Sequence, residues 1–245
     1  MRYLVLSDLH ANLEATRAVL DDARRLGFDE TVILGDLVGY GAEPNEVIEL
    51  VRRLEPMHAV RGNHDKAASG ITNAETFHDV AREAVMWTRE RLTGENRRFL
   101  HGLTEGPADL GKFWIAHGSP LDEEEYILQA ADAHETFSQL DLALAFFGHT
   151  HFTSVFRLEG GAVSMALVRG DDELVRLDRK CRYLVNPGSI GQPRDCNPKA
   201  SYAILDTRRE TIRVRRVAYD IAGAQAKIRK AGLPPVLAYR LAQGV

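Results

Sequence analysis

Tyr3-Leu4-Val5-Leu6-Ser7-Asp8-Leu9-His10 opens the chain, and its reading decides the fold. Residues 3–6 make a continuous apolar run, as a strand buried on both faces requires. The run stops at Ser7-Asp8, with His10 two residues further on. Side chains at i and i+2 leaving a strand project the same way, so Asp8 and His10 can grip one ion or reach two neighbouring ones. The same design recurs. Short apolar runs at 31–34, 57–60, 113–116 and 144–147 lead into Gly35-Asp36, Gly62-Asn63-His64-Asp65, His117-Gly118 and Gly148-His149-Thr150-His151. Loops at the carboxyl ends of strands in an open α/β sheet meet in one crevice, so ligands distant in sequence can converge there.

Helices separate the first strands. Leu13, Thr16, Leu20, Ala23 and Leu26 recur at spacings of three and four, with Asn12 as N-cap and Gly27 as stop. Glu43-Pro44 opens a second helix, buried along Val47, Ile48, Val51 and Leu54. Residues 66–112 are longer than an ordinary connection between strands and read as a helical insert. Phe77, Val80, Ala84, Val85 and Leu92 mark one helix there, and 97–103 a second. The insert either covers a sheet face or walls the crevice. From Phe152 onward short strands at 152–158, 162–168, 173–177, 182–185, 201–205 and 211–218 alternate with glycine turns, predicting a second, largely antiparallel sheet. Residues 222–245 are expected to form a terminal helix and tail. One domain with two sheets and outer helices accounts for the whole pattern.

Composition narrows the function classes. The 31 Lys+Arg and 35 Asp+Glu of this 245-residue chain leave a formal charge of −4, which argues against dedicated nucleic-acid binding. At 44% hydrophobic the chain can bury a core without disulfides, and Cys181 and Cys196 read as ordinary thiols of a reducing compartment. No window supplies a membrane span or a signal peptide, so a cytoplasmic protein is expected.

The blocks at the strand ends carry the chemistry. Asp8, Asp36, Asn63, His10, His117, His149 and His151 offer two carboxylates, one amide and four imidazoles, with His64 left over. Seven ligands exceed one tetrahedral site and suit two divalent ions sharing a carboxylate. With no thiolate among them, the donors fit Mn first, with Fe, Zn, Ni or Co as alternatives. Two ions bring +4 against −2 from Asp8 and Asp36, and the surplus of positive charge attracts phosphate.

These blocks, in this order, resemble the calcineurin-like metallophosphoesterase superfamily, whose pattern is D-x-H, G-D, G-N-H-[DE], H, G-H-x-H. The resemblance covers residues 3–151 and continues through Asn186-Pro187-Gly188-Ser189, a turn typical of its small bacterial phosphodiesterase-like branch. It implies a four-layer αββα sandwich of two mixed β-sheets flanked by helices. It further implies a first metal on Asp8, His10, Asp36 and His151, and a second on Asp36, Asn63, His117 and His149. Asp36 would bridge them, and His64 would stand beside the substrate as the acid. The function implied is a dinuclear phosphodiesterase acting on a small phosphoester, with a metal-bridging hydroxide as nucleophile. Hydrolysis of phosphomonoesters, nucleotides or dinucleoside polyphosphates is the alternative, and a non-catalytic scaffold, as in the superfamily's retromer subunit, a more distant one.

Other positions read as background or stay open. Ser/Thr protein phosphatases and symmetrical dinucleoside tetraphosphatases of this superfamily carry an arginine shortly after the bridging aspartate. Here Leu37-Val38-Gly39-Tyr40-Gly41 follows Asp36, so a phosphate-gripping arginine must come from elsewhere, with Arg61 and Arg194 as candidates. His101 competes with His117 but follows a charged helical stretch. His58, His78 and His134 read as surface residues. Gly170-Asp171 reads as a hairpin turn, 122–125 as a solvated helix start, and Arg213, Arg215 and Arg216 as a solvated face partly protecting a sheet edge.

Overall fold

The computed structural model describes residues 1–245. In chain order its strands are β1 (Arg2–Leu6), β2 (Glu30–Ile33), β3 (Met57–Ala59), β4 (Ala108–Asp109), β5 (Trp114–Ile115), β6 (Leu144–Phe146), β7 (Ser154–Glu159), β8 (Ala162–Leu167), β9 (Asp172–Arg176), β10 (Arg182–Asn186), β11 (Ala200–Asp206) and β12 (Thr211–Val217). The helices are α1 (Leu13–Leu26), α2 (Pro44–Val51), α3 (Asn63–Ser69), α4 (Asp79–Arg91), α5 (Gly94–His101), α6 (Ala130–Gln139), α7 (Ile221–Lys230) and α8 (Pro235–Gln243). None is long and apolar enough to cross a membrane.

Strand alternation builds the layers. In β1, Leu4 and Leu6 face one way onto α1 and α2, packing with Val19, Leu20, Val47 and Ile48. Tyr3 and Val5 face the other way and meet Phe146, Tyr183 and Val185 of the second sheet. That sheet turns Ala145, Phe147 and Leu184 outward onto Ala133 and Phe137 of α6. The result is the expected αββα order of layers, because a two-residue period gives each strand two buried faces. The first sheet runs β3-β2-β1-β11-β12-β9 and the second β4-β5-β6-β10-β7-β8. Parallel neighbours are β1–β2–β3 in one sheet and β5–β6–β10 in the other, and the remaining pairings are antiparallel.

Several local expectations hold. Asn12 caps α1 by accepting from the Ala15 N–H at 3.1 Å, and α2 begins at Pro44. Others need correction. The strands after residue 152 do not form a sheet of their own. β11, buried along Ala200–Leu205, inserts beside β1 with Leu4 opposite Ile204, so the first sheet is completed by late strands. Gly170-Asp171 is no hairpin turn, since β8 and β9 lie in different sheets. β12 is an interior strand, and its Arg216 is buried, paired with Asp195. The 122–125 stretch lies in turns, with Glu123 paired to Arg61 and Lys66. The terminal segment is a helix pair, not a helix and tail. Gly232, at φ 73°, ends α7, and Pro234-Pro235 starts α8. Leu237, Ala238 and Leu241 of α8 then pack near Ala81 and Ala84 of α4 and against Tyr40. Within the 66–112 insert, Val85, Leu92 and Leu100 pack on the helical side of the first sheet, and Phe77 borders His64.

Candidate active site

The carboxyl ends of β1, β2 and β3 in one sheet and of β5 and β6 in the other open onto the same rim. The loops there braced against one another are those carrying the histidines and acids. Asp8 N–H donates to Gly35 C=O at 3.1 Å, His10 N–H to Asp36 C=O at 3.0 Å, and His149 N–H to Asp8 Oδ1 at 3.2 Å. Asp65 explains its place after Asn63-His64: its carboxylate accepts from the N–H groups of Leu37 (2.9 Å), Val38 (3.3 Å) and Gly62 (3.0 Å), tying two loops together. Asn186 Nδ2 donates to Gly148 C=O at 2.8 Å, and Ser189 Oγ to Asp8 C=O at 2.8 Å, so the Asn-Pro-Gly-Ser turn supports the site from beneath.

This bracing holds backbone that is otherwise unfavourable. Asp8, His10, Asp36, His149 and His151 all have left-handed φ, between 47° and 66°. Non-glycine residues there cost about 1–3 kcal/mol each and persist where surrounding structure determines them, commonly at functional sites. Gly62 is required by proximity, because a Cβ on it would stand 2.1 Å from Asp36 Oδ1.

Two side-chain groups result. Donor atoms of Asp8, His10, Asp36 and His151 lie within 4.8 Å of one another, and those of Asp36, His117 and His149 likewise. Asn63 joins the second group, its Oδ1 3.1 Å from His117 Nε2. All seven sequence-derived ligands are therefore together, and Asp36 belongs to both groups. The two-residue spacings work differently from each other: Asp8 and His10 share a group, while His149 and His151 divide between groups.

The calcineurin-like phosphoesterase superfamily domain, as a family model, matches residues 1–210. The chain belongs to this superfamily. Over 98% of its length and 97% of the relative's it is 40% identical to the uncharacterized protein MJ0912 of Methanocaldococcus jannaschii. A solved metallophosphoesterase from Sphaerobacter thermophilus superposes with a TM-score of 0.88 at 41% identity, covering 100% of this chain and 99% of the other. Phosphodiesterase YfcE of Escherichia coli is 25% identical over 84% of this chain and 88% of its own. This superfamily member is thus a metal-dependent hydrolase of phosphoric ester bonds.

Donor chemistry fits the metal dependence of the superfamily. His10 Nδ1 lies 3.0 Å from Val38 C=O, His117 Nδ1 2.8 Å from Leu34 C=O, and His151 Nδ1 2.6 Å from Gln192 C=O. A carbonyl can only accept, so the neutral rings of His10 and His151 carry their proton on Nδ1 and leave Nε2 as a lone pair, whereas His117 donates from Nδ1 and faces the Asn63 oxygen with Nε2. His10 and His151 then point two bare Nε2 atoms at each other across 3.1 Å, with Asp36 Oδ2 3.6 Å from the first and Asp8 Oδ1 3.4 Å from the second. Converging lone pairs and carboxylates repel unless a cation lies among them.

Electrostatics sharpen the division. Burial lowers His10, His64 and His149 to a pKa of about 3 each and His151 well below its usual value, so these rings are neutral. Burial acts on His117 in the same direction, but the charge and hydrogen bonding of Asp36 override it and lift the pKa to about 9. The residue expected as the acid, His64, is thus one that burial keeps neutral. Its ring packs between Tyr40 (4.5 Å), Phe77 (4.8 Å) and His10 (5.0 Å), and Nδ1 is buried without a partner. Gly39, at φ 90°, makes room for it, since a Cβ there would sit 2.2 Å from Nδ1.

His101, the competitor of His117, is exposed at the end of α5. Three aromatic neighbours escaped the sequence reading. Tyr40, in left-handed backbone between Gly39 and Gly41, packs its ring 4.7 Å from His10. The two flanking glycines were its available signal. Phe77 was legible only as a helix residue. Tyr126, stacked on His149 at 4.1 Å and 25°, comes from an irregular loop with no periodicity to reveal it.

Proposed function

We propose that this metallophosphoesterase is a dinuclear phosphodiesterase. The observation carrying that reading is the position of Asp36, within ligand distance of both donor groups. In it, Asp8, His10, Asp36 and His151 hold one ion, and Asp36, Asn63, His117 and His149 the other, with manganese the first choice. When bound, such a pair supplies Lewis acidity, lowering the pKa of water and neutralising charge that develops on phosphorus oxygens. The chain's residues do the rest. Asp36 fixes the separation of the two sites, and its Oδ1 is held by the His64 N–H at 2.9 Å. The locked rings of His10 and His151 keep their lone pairs aimed inward, so little reorganisation is needed during reaction. His64 stands beside the first donor group and offers the leaving oxygen an N–H from a neutral ring.

A diester is favoured over a monoester by the likeness to phosphodiesterase YfcE, and over phosphoproteins by the segment Leu37–Gly41, which holds no arginine. The complete ligand set speaks against a scaffold role. The test is turnover of matched mono- and diesters by protein loaded with Mn, Ni, Co, Zn or Mg, with metal content measured on the same samples. Two ions per chain and preference for diesters are expected. Full activity at one ion, or faster monoester turnover, would refute the reading.

A further inference from the structure

Of the two arginines considered as phosphate ligands, Arg61 is already neutralised. Its guanidinium lies 3.2 Å from Glu123 and 2.8 Å from Glu105. Lys66, on the same side, is held by Glu123 and Glu124. Arg194 differs. No carboxylate lies within 4.0 Å of its guanidinium, which is met only by uncharged groups: Tyr40 Oη at 3.4 Å, Gln192 Oε1 at 3.1 Å and the nearby Tyr126 hydroxyl. The Nε atom is buried with no partner at all.

Its location is set by the site itself. The Arg194 N–H donates to His151 C=O at 3.3 Å, and the guanidinium carbon lies 5.8 Å from the Tyr40 ring centre. That ring touches both His10 and His64. After burial, the Arg194 charge is the next largest influence holding His151 below its usual pKa. A half-buried guanidinium with an idle donor is costly to maintain, and an anion accepting from it offsets that cost. Packing alone explains neither the idle Nε nor the missing acid.

We propose that Arg194 is a substrate-binding residue that holds a non-bridging oxygen of the phosphate group, with the Tyr40 ring fixing the plane of its guanidinium. This rests on the phosphoester reading above and adds the residue that recognises the anion. It makes phosphate recognition a joint act of the metal ligands and the loop after β10, while Arg61 serves only to pin the 122–125 turns.

Binding of inorganic phosphate to manganese-loaded full-length protein, followed by titration calorimetry, tests this without requiring turnover. Arg194→Gln should weaken phosphate binding about 10- to 100-fold, the worth of a charge-assisted hydrogen bond, while metal content and Tm stay at wild-type values. Arg194→Lys, which keeps the charge but loses the fork and its stacking, should fall between. Equal phosphate affinity in wild type and Arg194→Gln overturns the assignment. So does loss of metal in both variants, which would make Arg194 a support for His151. If fully loaded wild type binds no phosphate, the phosphoester reading fails first and takes this assignment with it.

Discussion

The two donor groups use the same residue types but are built differently. In the first, both imidazoles are locked through Nδ1 to backbone carbonyls, and Asp8 is braced by Ser7 Oγ at 2.5 Å and by the His149 N–H. In the second, His117 is locked to Leu34 C=O, but His149 has no such anchor. Its ring lies instead against Tyr126, a residue 46% exposed. Ligands oriented by buried backbone keep their geometry when the ion leaves, whereas ligands oriented by a surface ring do not. Under the proposed reading the first ion is therefore retained and the second exchanges more readily.

Asp36 is the one residue whose loss should erase this difference. Asp36→Asn removes the charge shared by both groups, so both ions should be weakened and turnover should fall at least about 10³-fold. Folding should survive, because the residue sits on a rim loop outside the core. Elemental analysis alongside diester turnover decides it, and a variant retaining two ions and most activity would separate the groups. His64→Ala comes next. It should keep both metals and lose about 10²-fold on alkyl diesters, whose leaving oxygen needs a donor, but far less on nitrophenyl esters. Equal losses on the two substrates would show that His64 only packs the loop.

A smaller effect tests the asymmetry directly. Tyr126→Ala leaves every expected ligand in place and removes the ring stacked on His149, together with a hydroxyl beside Arg194. Loss of a group that orients a ligand weakens metal binding by roughly 10-fold, so this variant should hold one ion firmly and the second weakly. Manganese titration should resolve two unequal sites, wider apart than in wild type. Equal weakening of both would break the comparison.

The blocks that converge into the two donor groups were legible because metal chemistry allows few residue types and strand ends restrict where they stand. Asp8, Asp36, Asn63 and the four histidines were all found that way. The layers were legible too, since apolar runs such as Leu4–Leu6 with Tyr3 and Val5 encode burial on two faces. Partner choice was not. Nothing local in 200–206 says that it lies beside β1, because the match depends on distant register. Tyr126 was missed because its contact is made by a loop, where neither period applies. The left-handed backbone of Asp8, His10 and Asp36 was invisible for a related reason, being imposed by neighbouring loops against the residues' own preference.

The last expectation concerns a charge remote from both groups and separates site from scaffold. Asp22 on α1 accepts from Tyr202 Oη at 2.7 Å, Arg25 at 2.8 Å and Arg215 at 3.0 Å. Burial alone would raise its pKa, but these hydrogen bonds outweigh it and hold the carboxyl below its usual value. A depressed folded-state pKa means stability that is present in full above the unfolded value, near 4, and lost as pH falls through the folded one. Asp22→Asn should therefore cost roughly 1–2 kcal/mol at neutral pH, with the deficit shrinking as pH drops below about 4. Metal content and diester turnover at neutral pH should not change, since the rim loops brace one another independently of α1. Denaturant unfolding across pH, with metal content on the same samples, measures both halves. A deficit unchanged at low pH would mean that the Asp22 charge contributes nothing, and loss of metal would show that the site depends on the core beneath it.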